Sequence, residues 1–211
     1  MKPIYWNDAI RKLGASDPIL KKIIEKNQDK VLTTRRNAFD TLIKAIIGQQ
    51  ISVKAAESVY NKLVDRIGPR VNPKIVQSYQ RETLKQVGLS RQKVDYILNI
   101  SEFFIQNPDL VSDEYLEIAS IADITNNFIK IKGIGSWTVE MFLIFYAMKP
   151  DILPLKDIGL LNAIKNVYDL RQLSKEDQLE KIVEISDCWR PYRTVATWYL
   201  WLFIDDELVE Y

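Results

Sequence analysis

The sequence predicts an all-α fold, and three observations carry that prediction. Apolar residues recur at three- and four-residue spacing in several segments; Pro, Gly, Asn and Asp punctuate the intervals; and no convincing alternating strand or two-residue hairpin loop occurs. Residues 38–47 bring Phe39, Leu42, Ile43, Ile46 and Ile47 to one face, and residues 53–67 do so with Ala56, Val59, Tyr60, Leu63 and Ile67. Residues 93–105, 136–148, 158–168, 175–185 and 194–204 behave similarly. Pro69 and Pro73 mark one connection, and Pro108, Pro150 and Pro154 mark others. About ten short helices are expected, with no internal repeat or flexible linker.

Composition narrows the chemistry. At 211 residues and 47% hydrophobic, the chain can bury a core in one domain or two small lobes. It has one cysteine, Cys188, and no histidine, which excludes disulfide frameworks, histidine-ligated zinc, cysteine-ligated iron–sulfur clusters and histidine-based triads. Acid–base or electrostatic work therefore falls to carboxylates, lysines, tyrosines or water. No segment approaches the roughly 18 apolar residues of a membrane helix, and the first residues show no secretion signal, so a soluble intracellular setting is expected. The net charge is only +1, but it is unevenly distributed. Residues 1–100 hold 19 Lys and Arg against 9 Asp and Glu, and residues 101–211 hold 10 against 19, ending in Asp205, Asp206, Glu207 and Glu210. A basic half can track phosphates while an acidic half stays off them, although lysine-rich solvated helix faces give the same count.

The stretch from Phe128 to Leu161 is the most informative. It sets Gly133-Ile134-Gly135 between two apolar helical runs, with Ser136 as the expected N-cap of the second, and Asp157 follows at the start of a third helix. Hairpin glycines in positive-φ conformations, with N–H groups at a helix start, form an anion site suited to a DNA phosphate, and an acid beyond it can do chemistry on the nucleotide. Plainer readings remain for both: a glycine-stopped αα-turn, and an N-cap for the helix beginning at Ile158. Gln49 and Gln50 close the first helix after Gly48. Arg91 and Lys93, in Gly88-Leu89-Ser90-Arg91-Gln92-Lys93, read as a second phosphate-facing loop or as a solvated helix start.

Four blocks occur in order: FDTLIKAIIGQQISVKAA, GLSRQKVDYI, IKGIGSWTVEMFLIF with DILPLKDIGLLNAI, and WRPYRTVATWYLWLF. Through them the chain, over roughly Asn37 to Ile204, resembles the helix-hairpin-helix DNA glycosylases, in the 3-methyladenine DNA glycosylase II branch. It resembles a compact form without the N-terminal β domain of larger relatives. The resemblance implies a base-excision repair enzyme that hydrolyses the N-glycosidic bond of an alkylated purine flipped out of duplex DNA. It maps the catalytic aspartate onto Asp157, phosphate contacts onto the amides of Gly133 and Gly135 with Thr138, and the base pocket onto Trp137 and Trp201. Met141 stands where some relatives carry an aromatic. The residue that wedges into the gap left by the flipped base falls at Gln50 or Gln49, for which a polar helix end facing solvent is the alternative. The carbonyls of Ile129, Ile131 and Ile134 would hold a Na or K ion, with no other cofactor required. Bifunctional relatives carry a Schiff-base lysine where this chain has Trp137, so monofunctional hydrolysis leaving an abasic site is expected, although Lys130, Lys132 and Lys156 lie nearby in sequence.

The architecture expected is two helical lobes with a cleft between them. One lobe spans 37–148, with the hairpin at about 122–148, and the other combines 1–36 with 149–211, carrying Asp157 at the junction. The expected partner is double-stranded DNA with a damaged base, met by a monomer in the cytoplasm at the nucleoid or in the nucleus, with no membrane. Two alternatives stay open: a non-catalytic helix-hairpin-helix module that binds damaged DNA, and a glycosylase for deaminated or oxidised bases. Asp157 separates the first from an enzyme, because a binder needs no carboxylate there.

Overall fold

The computed structural model describes residues 2–34 and 37–204. The acidic run at Asp205, Asp206, Glu207 and Glu210 lies outside the described residues. In chain order the helices are α1 Trp6–Ser16, α2 Pro18–Lys26, α3 Ala38–Gly48, α4 Val53–Ile67, α5 Pro73–Ser78, α6 Arg81–Gln86 and α7 Arg91–Gln106. A 3-10 turn at Pro108–Leu110 follows, then α8 Asp113–Ile118, α9 Ile121–Phe128, α10 Ser136–Phe145, α11 Ile158–Val167, α12 Lys175–Asp187 and α13 Arg193–Ile204. The fold is all-α, with no strand among the described residues. No helix among them is long and apolar enough to cross a membrane.

Short polar residues set many of the helix starts. Asp17, Asn37, Ser52, Asn72, Ser90, Ser112, Ser120, Asp157 and Ser174 each accept a backbone N–H of the helix they precede. Ser120 and Asp123 form a reciprocal capping box. The expected helix ending at Met148 stops instead at Phe145. The Ala147 amide turns back to the Phe142 carbonyl, and Met148 adopts φ +49°, ahead of Pro150.

The chain folds into two compact units, residues 2–34 with 148–204 and residues 37–147. In the first, α13 is the central element, buried through Val195, Ala196, Trp198, Tyr199, Leu200, Trp201 and Leu202 and packed on α1, α2 and α11. Trp6 meets Trp198 edge-on at 5.1 Å between ring centroids. The buried Asp17 carboxylate joins distant parts of the chain. Its Oδ1 caps α2, and its Oδ2 accepts the Tyr168 hydroxyl (2.5 Å) and the Trp189 indole N–H (2.9 Å). Burial, then the Asp17 carboxylate, push the Tyr168 phenol well above its ordinary value. The start of α13 is fixed to the preceding connection: the Thr194 hydroxyl donates to the Lys149 carbonyl (2.6 Å), and Arg193 pairs with Asp151 (2.6 Å).

In the second unit α3 is the spine, buried from Ala38 to Ile47 and packed on α4, α7 and α10. Its two charged residues are buried as a pair, Lys44 and Asp40 at 3.6 Å. The Tyr60 hydroxyl donates to Asp40 (2.5 Å), and the Lys44 ammonium lies 4.5 Å from the Tyr60 ring centroid. Each charge thus has its compensation at hand. Phe128 meets Phe142 edge-on and Phe142 stacks on Tyr146, a ring series that joins α9 to α10.

Candidate active site and nucleic-acid interface

The hairpin between α9 and α10 is built by two tight turns. The Ile131 amide donates to the Phe128 carbonyl and the Ile134 amide to the Ile131 carbonyl, each at 3.0 Å. Ile131 and Ile134 are buried and anchor the hairpin, whereas Lys130 and Lys132 are exposed. Gly133 has φ +107°, and a Cβ there would lie 2.1 Å from Tyr96 Cγ, so both conformation and space demand glycine. The Asn99 side chain donates to the Lys132 carbonyl (3.0 Å), so Tyr96 and Asn99, three residues apart on α7, support the hairpin from one side.

Gly135 differs from expectation in two ways. Its φ is −100°, open to any residue, and it is itself the N-cap of α10, so Ser136 is the first helical residue. The Gly135 carbonyl already accepts the first intrahelical N–H, from Val139, which fixes the cap one residue earlier than expected. A Cβ at Gly135 would meet nothing within 4 Å. The amides of Gly133, Gly135 and Ser136 donate to no acceptor among the described residues. They form a row of N–H groups at a helix start with an open approach, the arrangement that binds an anion.

Several neighbouring residues have other work than expected. Thr138 is buried, and its hydroxyl accepts from Gln49 Nε2 (3.1 Å), so its side chain is not offered to a phosphate. Gln49 Nε2 also reaches the Gly133 carbonyl (3.5 Å), which makes Gln49 a latch on the hairpin and removes it from the wedge. Gln50 stays exposed, at φ +59°. Lys93 is turned toward the end of α3. Its ammonium donates to the Ile47 carbonyl (2.7 Å) and the Gln49 carbonyl (2.8 Å) at the end of α3, and burial lowers its pKa. Arg91 is exposed at the start of α7, in a surface groove shared with Arg81, Tyr96, Asn99 and Lys132. Trp137 is half-buried in the first turn of α10. Met141 is 1% exposed, its side chain enclosed on the core face of α10, so it offers no surface to an incoming base.

Asp157 lies on the other unit, as the N-cap of α11. Its Oδ1 accepts the Leu160 amide (2.6 Å) and the Trp201 indole N–H (3.1 Å). Two donors on one oxygen fix the rotation of the carboxylate. Trp201, buried to 7% exposure on α13, thus holds the acid, a role that no sequence spacing signalled across a separation of 44 positions. Gly159 leaves the acid room, since a Cβ there would lie 3.1 Å from Oδ1. Among the described residues no cluster of His, Cys, Asp and Glu is arranged to hold a metal ion.

The chain is similar to known repair proteins over most of its length. It is 29% identical over 184 residues to DNA-3-methyladenine glycosylase 1 of Schizosaccharomyces pombe, covering 86% of this chain and 79% of that one. It is 32% identical to the alkylbase DNA glycosidase-like protein mag2 of the same yeast, covering 77% and 76%. Among solved structures, that of the S. pombe 3-methyladenine DNA glycosylase Mag1 in complex with abasic DNA matches with a TM-score of 0.82 at 27% identity, covering 92% and 95%. A model of the HhH-GPD superfamily of base excision DNA repair proteins matches residues 43–188. With two-thirds of its length inside that match, the chain belongs to the HhH-GPD superfamily of base excision DNA repair proteins.

Proposed function

We propose that this protein is a monofunctional DNA glycosylase of base excision repair that releases alkylated purines of the 3-methyladenine type from double-stranded DNA. The observation that carries the reading is the Asp157 carboxylate, held in one orientation by the Leu160 and Trp201 N–H groups. When the bond between C1′ and the base nitrogen breaks, its electron pair leaves with the base and positive charge develops on the deoxyribose. A fixed carboxylate beside the sugar stabilises that charge. Water then adds to C1′, loses a proton, and leaves an abasic site. Alkylation makes the purine cationic and therefore a good leaving group, so the absence of histidine from the chain is no obstacle.

The hairpin amides of Gly133 and Gly135 would hold a backbone phosphate near the lesion, with Arg91 as an added cationic contact. Gln50 would occupy the space left by the flipped nucleotide, and Trp137 would offer a ring face to the cationic base. With Trp137 in place of a lysine, the chain lacks an amine at the position where a Schiff base forms in bifunctional relatives. The hairpin carbonyls fit an alkali ion. Those of Ile129 and Ile134 accept no hydrogen bond among the described residues, and that of Ile131 accepts one, from Ile134. Carbonyl oxygens are the donors such an ion takes, and it would add positive charge behind the amides. Such an enzyme works where the DNA is, at a nucleoid or in a nucleus.

The test is release of free base from methylated duplex DNA by the native protein and by Asp157→Asn, with alkaline cleavage to reveal abasic sites. Release that depends on Asp157 is expected. Tight DNA binding without release would move the assignment to a non-catalytic binder, and release from deaminated or oxidised DNA alone would move it to another lesion class.

A further inference from the structure

The end of α3 is held more firmly than its exposure suggests. After Gly48 the chain reverses within three residues: Gln49 sits at φ −55° and ψ 123°, Gln50 takes the left-handed φ of +59°, and the Ile51 amide returns to the Gly48 carbonyl at 3.4 Å. A left-handed residue that is not glycine persists only where its surroundings over-determine it. Two contacts do so. The Lys93 ammonium binds the Ile47 and Gln49 carbonyls, and the Gln49 side chain binds Thr138 Oγ1 and reaches the Gly133 carbonyl. The Gln49 carbonyl belongs to the peptide that joins Gln49 to Gln50, so fixing that oxygen fixes the peptide plane from which Gln50 φ is measured. A cation at a helix C-terminus is also where the helix dipole favours it.

We propose that Lys93 is a positioning residue for the wedge: it clamps the Gln49–Gln50 peptide so that Gln50 is held ready for the gap left by the flipped base, while Gln49 ties that turn to the phosphate-binding hairpin. The proposal rests on the glycosylase reading and on Gln50 as the wedge. It assigns Lys93 no contact with DNA. Preorganisation of this kind appears in the excision step and not in the affinity for undamaged DNA.

The experiment is a double-mutant cycle on Lys93→Met and Gln50→Ala. It follows single-turnover release of methylated purine from duplex DNA, binding of undamaged duplex, and thermal melting of each variant. Lys93→Met is expected to slow release by about tenfold, and the double variant to be no slower than the slower single one, because both changes remove the same wedge. Affinity for undamaged duplex is expected to change by less than about twofold, as for a residue that touches no phosphate. If Lys93→Met does not fold, the same cycle with the half-exposed Gln49→Ala decides, since Gln49 holds the same turn from the other side. Multiplicative losses, no loss from Lys93→Met, or an equal loss of undamaged-DNA affinity overturns the proposal. No release by the native protein overturns the glycosylase reading instead, so the two failures are distinguishable.

Discussion

Asp157 is where two readings of the sequence meet, because a helix cap and a catalytic acid ask for the same residue at the same place. The structure gives it the cap, through Leu160, and adds the Trp201 N–H from 44 residues away. Substitution can separate the two roles. Asn caps a helix about as well as Asp, so Asp157→Asn should change stability by no more than about 0.5 kcal/mol. Loss of the charge should lower base release by about 100- to 1,000-fold, the scale of one lost electrostatic contact in a catalytic site. A melting curve and a release assay on the same preparation check both, and a release rate close to native would remove Asp157 from the chemistry. Trp201→Phe keeps a ring in the buried site but removes the N–H. It should lower kcat by about tenfold with KM nearly unchanged, because the carboxylate loses orientation and the base loses no stacking face. A rise in KM with kcat unchanged would return Trp201 to the pocket role that the sequence resemblance implied.

At the scale of elements, helix positions were legible and helix ends less so. The stretch from Val53 to Ile67 is helical over the range its periodicity marks, and Ser and Asn caps announce even helices of six residues. The hairpin shows what the sequence hid. Two glycines invite one explanation, yet only Gly133 needs its glycine for conformation, and the reason is the Tyr96 ring, which comes from another helix. Gly135 is extended and meets open space, so its missing side chain serves whatever approaches from outside. The two positions should therefore respond differently to alanine. Gly133→Ala should cost about 2–3 kcal/mol of stability, from left-handed strain and a collision with a packed ring. Gly135→Ala should leave the melting temperature nearly unchanged and weaken binding to duplex DNA by about tenfold, because a methyl would stand where a phosphate must approach the amides. Equal melting losses for both, or native DNA affinity in Gly135→Ala, would contradict this division.

At the scale of the molecule, the polarity of the two sequence halves does not survive folding. The chain starts in one unit, crosses to the other and returns, so the basic first half is shared between them. Residues 35–147, which carry the hairpin, hold 14 Lys and Arg against 12 Asp and Glu. Several of those cations are already engaged: Lys44 with Asp40, Arg81 with Asp95, and Lys93 with the end of α3. Arg91, Lys130 and Lys132 remain exposed beside the hairpin. The neutral N–H groups of the hairpin release no counterions when they meet a phosphate, whereas each phosphate neutralised by Lys or Arg contributes about −0.9 to the slope of log K against log salt. Binding to undamaged duplex should therefore show a shallow slope, no steeper than about −3. Arg91→Gln should reduce it by about 1, and Lys93→Met should leave it as it was. A titration of binding between low and physiological salt measures all three. A slope near −6, or a drop in slope from Lys93→Met, would mean that the cationic surface reaches the DNA backbone well beyond the hairpin and that Lys93 leaves its helix end to join it.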